Sequence, residues 1–240
     1  MQVEGRRIAV TGASGSLGRA LLLALHRRGA RPMAISRRQQ PLRLAGADHD
    51  QAVEIPTLTW SGRLTPALEA ALADVDVLVI NHGVNLHSAS DGEALRRTLE
   101  VNLLSALELT DLFLRQSAAL PPGRQAQREL WVNTSEAEVN PTFCPYYEIS
   151  KRSLGALLDV RAIASPCPVR RLVLGPFRSA LNPIGVMDPD WVAESILRLI
   201  RWNLPLVIVS INPLTYVLMP LRWILARAYL WLCGVRRSRT

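Results

Sequence analysis

Three observations predict an α/β protein built as a three-layer, doubly wound parallel sheet. Strand-length apolar runs alternate with helix-length amphipathic ones, the strands lack polar alternation, and the first strand enters a glycine turn that opens a helix. A strand covered on both faces has no solvent side, which is why VDVLVI (75–80) is almost continuously apolar. With 240 residues, 49% of them hydrophobic, the chain can bury one sizeable core.

The elements follow in order. Strands are expected at Ile8–Thr11, Arg31–Ser36, Val75–Asn81, Leu130–Ser135 and Val169–Leu174, with helices at Ser16–Arg28, Asp91–Gln116 and Tyr146–Ala164. Gly29 closes the first helix, and SAALPPGRQAQRE (117–129) reads as a surface connection. PDWVAESILRLIRW (189–202) reads as a last domain helix, capped by Asp188 or Asp190, and PLVIVSI (205–211) as a final edge strand.

Gly12, Gly15 and Gly18 are spaced G-x-x-G-x-x-G between that first strand and helix. Without side chains in the way, a diphosphate can rest on backbone amides at the helix N-terminus, with Ser14, Ser16 and Leu17 in the same loop. Residues 1–210 are therefore expected to form a single dinucleotide-binding catalytic domain, followed by an apolar and basic tail over 211–240. The second strand ends in Ser36, Arg37 and Arg38, with no acid before Asp48. A carboxylate there would repel a ribose 2′-phosphate, whereas a guanidinium can hold it bidentately, so NADP(H) is expected over NAD(H).

The net charge of +8 comes largely from scattered arginine pairs, with no basic stripe interleaved with aromatics and no zinc-ligand spacing. Neither nucleic acid nor a metal is expected. Cys144, Cys167 and Cys233 form no CxxC and cannot all pair, and the N-terminal segment MQVEGRRIAVTG does not read as a signal peptide. The expected location is cytoplasmic.

Lys151 is the chain's only lysine and lies four residues after Tyr147. A randomly placed lysine would follow one of the four tyrosines at that spacing about once in sixty. On a helix the two share a face. A free phenol, with a pKa of about 10, exchanges protons poorly at neutral pH, and an ammonium beside it favours the phenolate. A compact ammonium can also reach a ribose where a guanidinium fork would crowd the phenol.

With these residues in place, positions 8 to about 200 resemble a short-chain dehydrogenase/reductase. The matching segments are TGASGSLG (11–18), VDVLVINHG (75–83), VNL around Asn102, NTS (133–135), YEISK (147–151) and LGPFRS (174–179). The resemblance implies a Rossmann-type fold and hydride transfer between a nicotinamide cofactor and a carbonyl or alcohol. It implies Tyr147 as general acid/base, Lys151 as ribose ligand that lowers the phenol pKa, Asn102 as holder of a relay water, and a serine that polarises the substrate oxygen. It also implies cofactor contacts from Asn81, His82, Gly83, Gly175, Pro176 and Ser179. The family's serine usually lies thirteen residues before the tyrosine; Ser135 lies twelve before and Thr134 thirteen, while a strand-by-strand comparison points to Glu136. Ser135 is the expected residue, with Thr134 as alternate. His82 stands where the family commonly has alanine, and is expected to pack on the adenosine side. LGPFRS inverts the usual Pro-Gly order, and TLTWSGR (57–63) carries no acid for adenine.

WVNTSEAEV and GPFRSALNPIGVM are also similar to the dehydrogenase half of proteins that join a sterol-desaturase-like membrane part to a reductase. FRSALNPIGVMDPD (177–190) is expected to form a substrate lid. The tail carries Trp223, Tyr229 and Trp231 beside Arg222, Arg227, Arg236 and Arg237, which suits an in-plane helix on an anionic membrane surface. The alternative is a helix packed on its own domain or at a homodimer interface. The function expected is an NADP(H)-dependent oxidoreductase acting on a small carbonyl or alcohol, with the tail suited to an apolar, lipid-like one. A catalytically weak NADP(H)-binding sensor or scaffold is the alternative. An epimerase or dehydratase is disfavoured for want of a larger substrate domain.

Overall fold

The computed structural model describes residues 2–45, 52–86 and 91–234, which leaves Asp48, Arg236 and Arg237 outside it. Its strands are β1 (Arg7–Thr11), β2 (Arg31–Ser36), β3 (Leu42–Leu44), β4 (Val53–Ile55), β5 (Thr57–Thr59), β6 (Val77–Ile80), β7 (Glu129–Ser135), β8 (Val169–Leu174) and β9 (Leu206–Val209). Seven of them form one sheet in the order β5-β2-β1-β6-β7-β8-β9, every neighbouring pair parallel, while β3 and β4 pair antiparallel beside it. The expected Rossmann-type, doubly wound sheet is the fold observed. The three-residue strands β3, β4 and β5 are additions to the expected set, too short to register as apolar runs.

Helices α1 (Ser16–Arg27), α2 (Pro66–Ala73), α3 (Gly92–Leu99), α4 (Ser105–Ala118), α5 (Pro122–Gln125), α6 (Pro145–Ile163), α7 (Pro189–Ile200) and α8 (Thr215–Leu232) complete the chain. Side chains alternate across each strand, so β1 sends Ile8 and Val10 into the layer under α1 and α7, and Ala9 into the layer under α2, α4 and α6. Both layers are fully buried, which accounts for strands without a polar face.

The register sets the site. Thr11 pairs with Ile35, Val10 with Val79, Ile80 with Val132, Ser135 with Leu174, and Leu174 with Val209. Residues just past these pairs therefore stand in a row along one edge: Ser36, Gly12, Asn81, Asn133 to Glu136, Gly175 and Ser210. Ligands of open α/β sheets bind beyond the carboxyl ends of the strands.

Helix α8 leaves from the same edge. Its first turns pack on the domain: Thr215 and Met219 are buried, and Arg222 Nη1 reaches Asp159 Oδ2 at 3.1 Å and Glu138 Oε2 at 3.5 Å. Arg171 meets the same two acids from β8, at 2.6 Å and 3.2 Å. The helix runs through Pro220. Beyond Arg222 its apolar side chains Ile224, Leu225, Tyr229, Trp231 and Leu232 are each more than half exposed. Among the described residues no helix is long and apolar enough to cross a membrane.

His82 latches the loop after β6 to its neighbours. Its Nδ1 lies 2.8 Å from Thr11 Oγ1, its Nε2 3.0 Å from Ser105 Oγ, and its ring meets Trp60 edge-on at 4.7 Å. Enclosure, reinforced by the charge of Lys151, lowers the imidazole pKa from 6.5 to about 3. The unfolded chain therefore binds this proton at a pH where the folded chain refuses it. The stability contributed is complete above 6.5 and lost as pH falls toward 3. Urea unfolding across that window is expected to show a loss on the order of a few kcal/mol, with a shallower slope in His82→Asn. Equal slopes in the two proteins would contradict the assignment.

Candidate active site

The glycine turn is shaped by close backbone approach. Gly12 has φ +62°, and a Cβ there would lie 2.8 Å from His82 Cα; a Cβ on Gly18 would lie 2.2 Å from the Gly12 carbonyl oxygen. Helix α1 is thus drawn onto the turn, with its N-terminal amides facing the strand edge. Ser14, Gly15, Ser16 and Leu17 lie between these two points. A diphosphate fits the arrangement, because the positions a side chain would fill are those where backbone must come close. Ser36, buried at the end of β2, accepts from the Arg38 amide at 3.1 Å, and Arg37 and Arg38 are exposed beside the turn.

Asn81 is tied to β1, its amide N–H donating to Thr11 Oγ1 at 2.8 Å and its Nδ2 to Thr11 O at 3.2 Å. Asn133, at the end of β7, donates from Nδ2 to Asn81 Oδ1, and its carbonyl accepts from Lys151 Nζ at 3.3 Å. A polar chain therefore crosses from β1 to α6 along the strand ends. His82 turns inward, against Thr11, Ser105 and Trp60, in a packing position.

Pro145 at the first turn of α6 starts the helix that presents Tyr147 and, one turn later, Lys151. The Ser135 side chain lies close enough to the Tyr147 phenol to lower its pKa. Thr134 instead sends Oγ1 toward Leu172 O, and Glu136 Oε2 accepts from Ser210 Oγ at 2.6 Å and Thr215 Oγ1 at 3.1 Å. Of the three candidates for the serine position, Ser135 is the one whose side chain lowers the phenol pKa.

The electrostatics differ from the expectation. Withdrawal from water raises the Tyr147 pKa, the neighbouring Ser135 side chain opposes this, and the charges of Glu136 and Cys144 raise it further. Lys151 Nζ stands 5.7 Å from the centroid of the Tyr147 ring. Buried itself, the ammonium has its pKa lowered from 10.5 to about 8, against the attraction of Glu138. Desolvation thus outweighs the acidifying influence expected of the lysine.

Asn102 lies in a π-helical turn, Glu100–Leu104, where an unbroken helix was expected. Such a turn re-aims a side chain within a helix. Asn102 Oδ1 accepts from Val84 N at 2.7 Å, and Nδ2 donates to Val84 O at 2.9 Å and Ser150 Oγ at 3.0 Å. Ser150 in turn donates to Tyr147 O at 2.7 Å. The side chain clamps the loop following Gly83 to α6, and both amide hydrogens are used in doing so.

Gly175 donates to Val209 O, and Pro176 O accepts from the amides of Val186 and Met187, which folds the 177–190 segment back on itself. Ser179 forms a turn with Asn182, accepting on Oγ from the Asn182 amide at 3.1 Å. Leu181, Ile184 and Val186 project from this loop. The sequence left Asn133, Ser150, Ser210 and Thr215 unassigned; no spacing links the last two to Glu136, since they arrive from β9 and α8. Among the described residues no group of three or more His, Cys, Asp or Glu could hold a metal.

The family model for short chain dehydrogenases matches residues 6–154. Monoglucosyldiacylglycerol epimerase of Synechocystis is 44% identical over 239 residues, covering 99% of this chain; the chain spans 57% of that protein's length. Human L-xylulose reductase is 34% identical over 201 residues, covering 77% of this chain and 73% of that protein. In structure, a short chain dehydrogenase from Burkholderia cenocepacia in complex with NADP superposes with a TM-score of 0.73 at 18% identity, covering 98% of this chain and 99% of that one. An alcohol dehydrogenase from Thermococcus sibiricus complexed with 5-hydroxy-NADP gives 0.63 at 20% identity, covering 85% of this chain and 95% of that one. The chain belongs to the short chain dehydrogenase family.

Proposed function

We propose that this protein is an NADP(H)-dependent oxidoreductase acting on a carbonyl/alcohol carbon in the polar part of a lipid-like substrate. The placement of Ser135 beside the Tyr147 phenol, with Lys151 one helical turn on and the glycine turn along the same edge, carries this reading. The cofactor would supply or accept the hydride. Tyr147 would exchange the proton of the substrate oxygen, Ser135 would orient that oxygen, and Lys151 would hold ribose hydroxyls while its charge favours the phenolate in the assembled site. Asn102 acts first as the clamp between the loop and α6; a relay water would use the remaining lone pair of Oδ1. Arg37 and Arg38 favour the 2′-phosphate.

Similarity to the epimerase favours a second outcome of the same first step. An alcohol oxidised at this site and reduced again on its other face is inverted without net redox change, and no larger substrate domain is required for that. A glycosyl diacylglycerol is the substrate class this suggests.

The lipid reading is supported by the C-terminal helix. Its distal half, Phe143, and the 177–190 loop expose large apolar side chains from the strand edge that carries the site. The net charge of +8 suits an anionic surface, so the proposed location is the cytoplasmic face of a membrane.

Two tests follow from these roles. Tyr147→Phe is expected to lower carbonyl reduction by about a hundredfold or more while still binding NADPH, and the wild type to use NADPH in preference to NADH. Activity unchanged by the substitution would defeat the mechanism, and a preference for NADH would defeat the cofactor assignment. In flotation with anionic liposomes the protein is expected to rise with the vesicles, and a variant with Leu225, Trp231 and Leu232 replaced by glutamate to stay behind. A wild type that does not float would remove the membrane contact.

A further inference from the structure

Glu136 follows Ser135 directly and places an acidic group beside Tyr147 that hydride transfer does not require. Its field raises the phenol pKa, which works against proton abstraction at neutral pH. The carboxylate is nevertheless held firmly. Ser210 and Thr215 both donate to Oε2, Thr215 is itself bonded by Asn140 Nδ2 at 3.0 Å, and the Tyr216 hydroxyl braces the Ser210 backbone. Segments after β7 and β9 and the first turn of α8 thus converge on one oxygen. An ionised carboxylate can accept about four hydrogen bonds, and these two donors leave capacity for others.

We propose that Glu136 is a specificity-determining residue that accepts hydrogen bonds from hydroxyl groups neighbouring the reacting carbon, so that the site takes a neutral polyhydroxylated, glycosyl-type group. Three points lead there. The carboxylate lies at the strand edge where substrates of this fold bind, next to the group that exchanges the proton. It is an acceptor only, matched to hydroxyl donors by charge-assisted bonds and repelling anionic sugars. Its anchoring by Ser210 and Thr215 holds it in one orientation, as recognition of a particular hydroxyl arrangement requires. The inference rests on the oxidoreductase reading for the identity of the reacting carbon.

The test measures binding of methyl glucoside and of cyclohexanol to the NADP-loaded protein by ligand-observed NMR, for wild type and Glu136→Gln. Glutamine keeps the shape and an oxygen for Ser210 and Thr215 while removing the charge. Methyl glucoside affinity is expected to fall about tenfold to a hundredfold relative to that of cyclohexanol, and Thr215→Val to give a smaller loss of the same sign. Equal discrimination in the two proteins, or no methyl glucoside binding to the wild type, would overturn the proposal. Turnover of cyclohexanol with NADP, measured on the same wild-type sample, reports separately on the oxidoreductase reading.

Discussion

Withdrawal of Tyr147 and Lys151 from water is the constraint on which the site depends. Burial penalises the charged form of each group, so the phenol holds its proton and the ammonium is drawn down to about 8. At neutral pH the lysine still carries its charge, but with little margin, and the attraction of Glu138 helps to preserve it. Glu138 is buried with its own pKa raised by that burial, and Arg171 opposes the shift. The Lys151 charge is therefore supported by an ion network extending into the domain.

That network also joins the C-terminal helix to the site. Arg222 bridges Glu138 and Asp159, while Thr215 and Ser210 hold Glu136. Glu136 and Glu138 are the two ends of the short turn after Ser135, so the last helix helps to shape the end of β7 even though its distal half projects from the fold. The sequence offered packing and membrane contact as alternatives for this tail. In the structure its first turns pack on the domain, and its exposed half leaves an apolar surface for the proposed membrane contact.

The parts legible in the sequence were those in which chemistry and spacing coincide. The glycine turn was legible because G-x-x-G-x-x-G stood between an apolar strand and an amphipathic helix, and the Tyr147–Lys151 pair because the lysine has no second copy. The serine position was not decidable from spacing. Neighbouring residues on a strand face opposite ways, so an uncertainty of one residue between Thr134 and Ser135 decides which reaches the phenol. The π-helical turn at Asn102 leaves no periodic signature over five residues. The anchors of Glu136 lie 74 and 79 residues from it, beyond any local pattern. The direction of the phenol shift depended on burial, which a motif does not report.

The most direct test is a spectroscopic pH titration of phenolate absorbance, wild type minus Tyr147→Phe, without cofactor and with NADP. The difference isolates one tyrosine among four. The account predicts that the cofactor-free phenol ionises above pH 10 and that cofactor binding moves its ionisation to lower pH. A phenol that ionises at or below pH 10 on its own, or that does not respond to NADP, would contradict it.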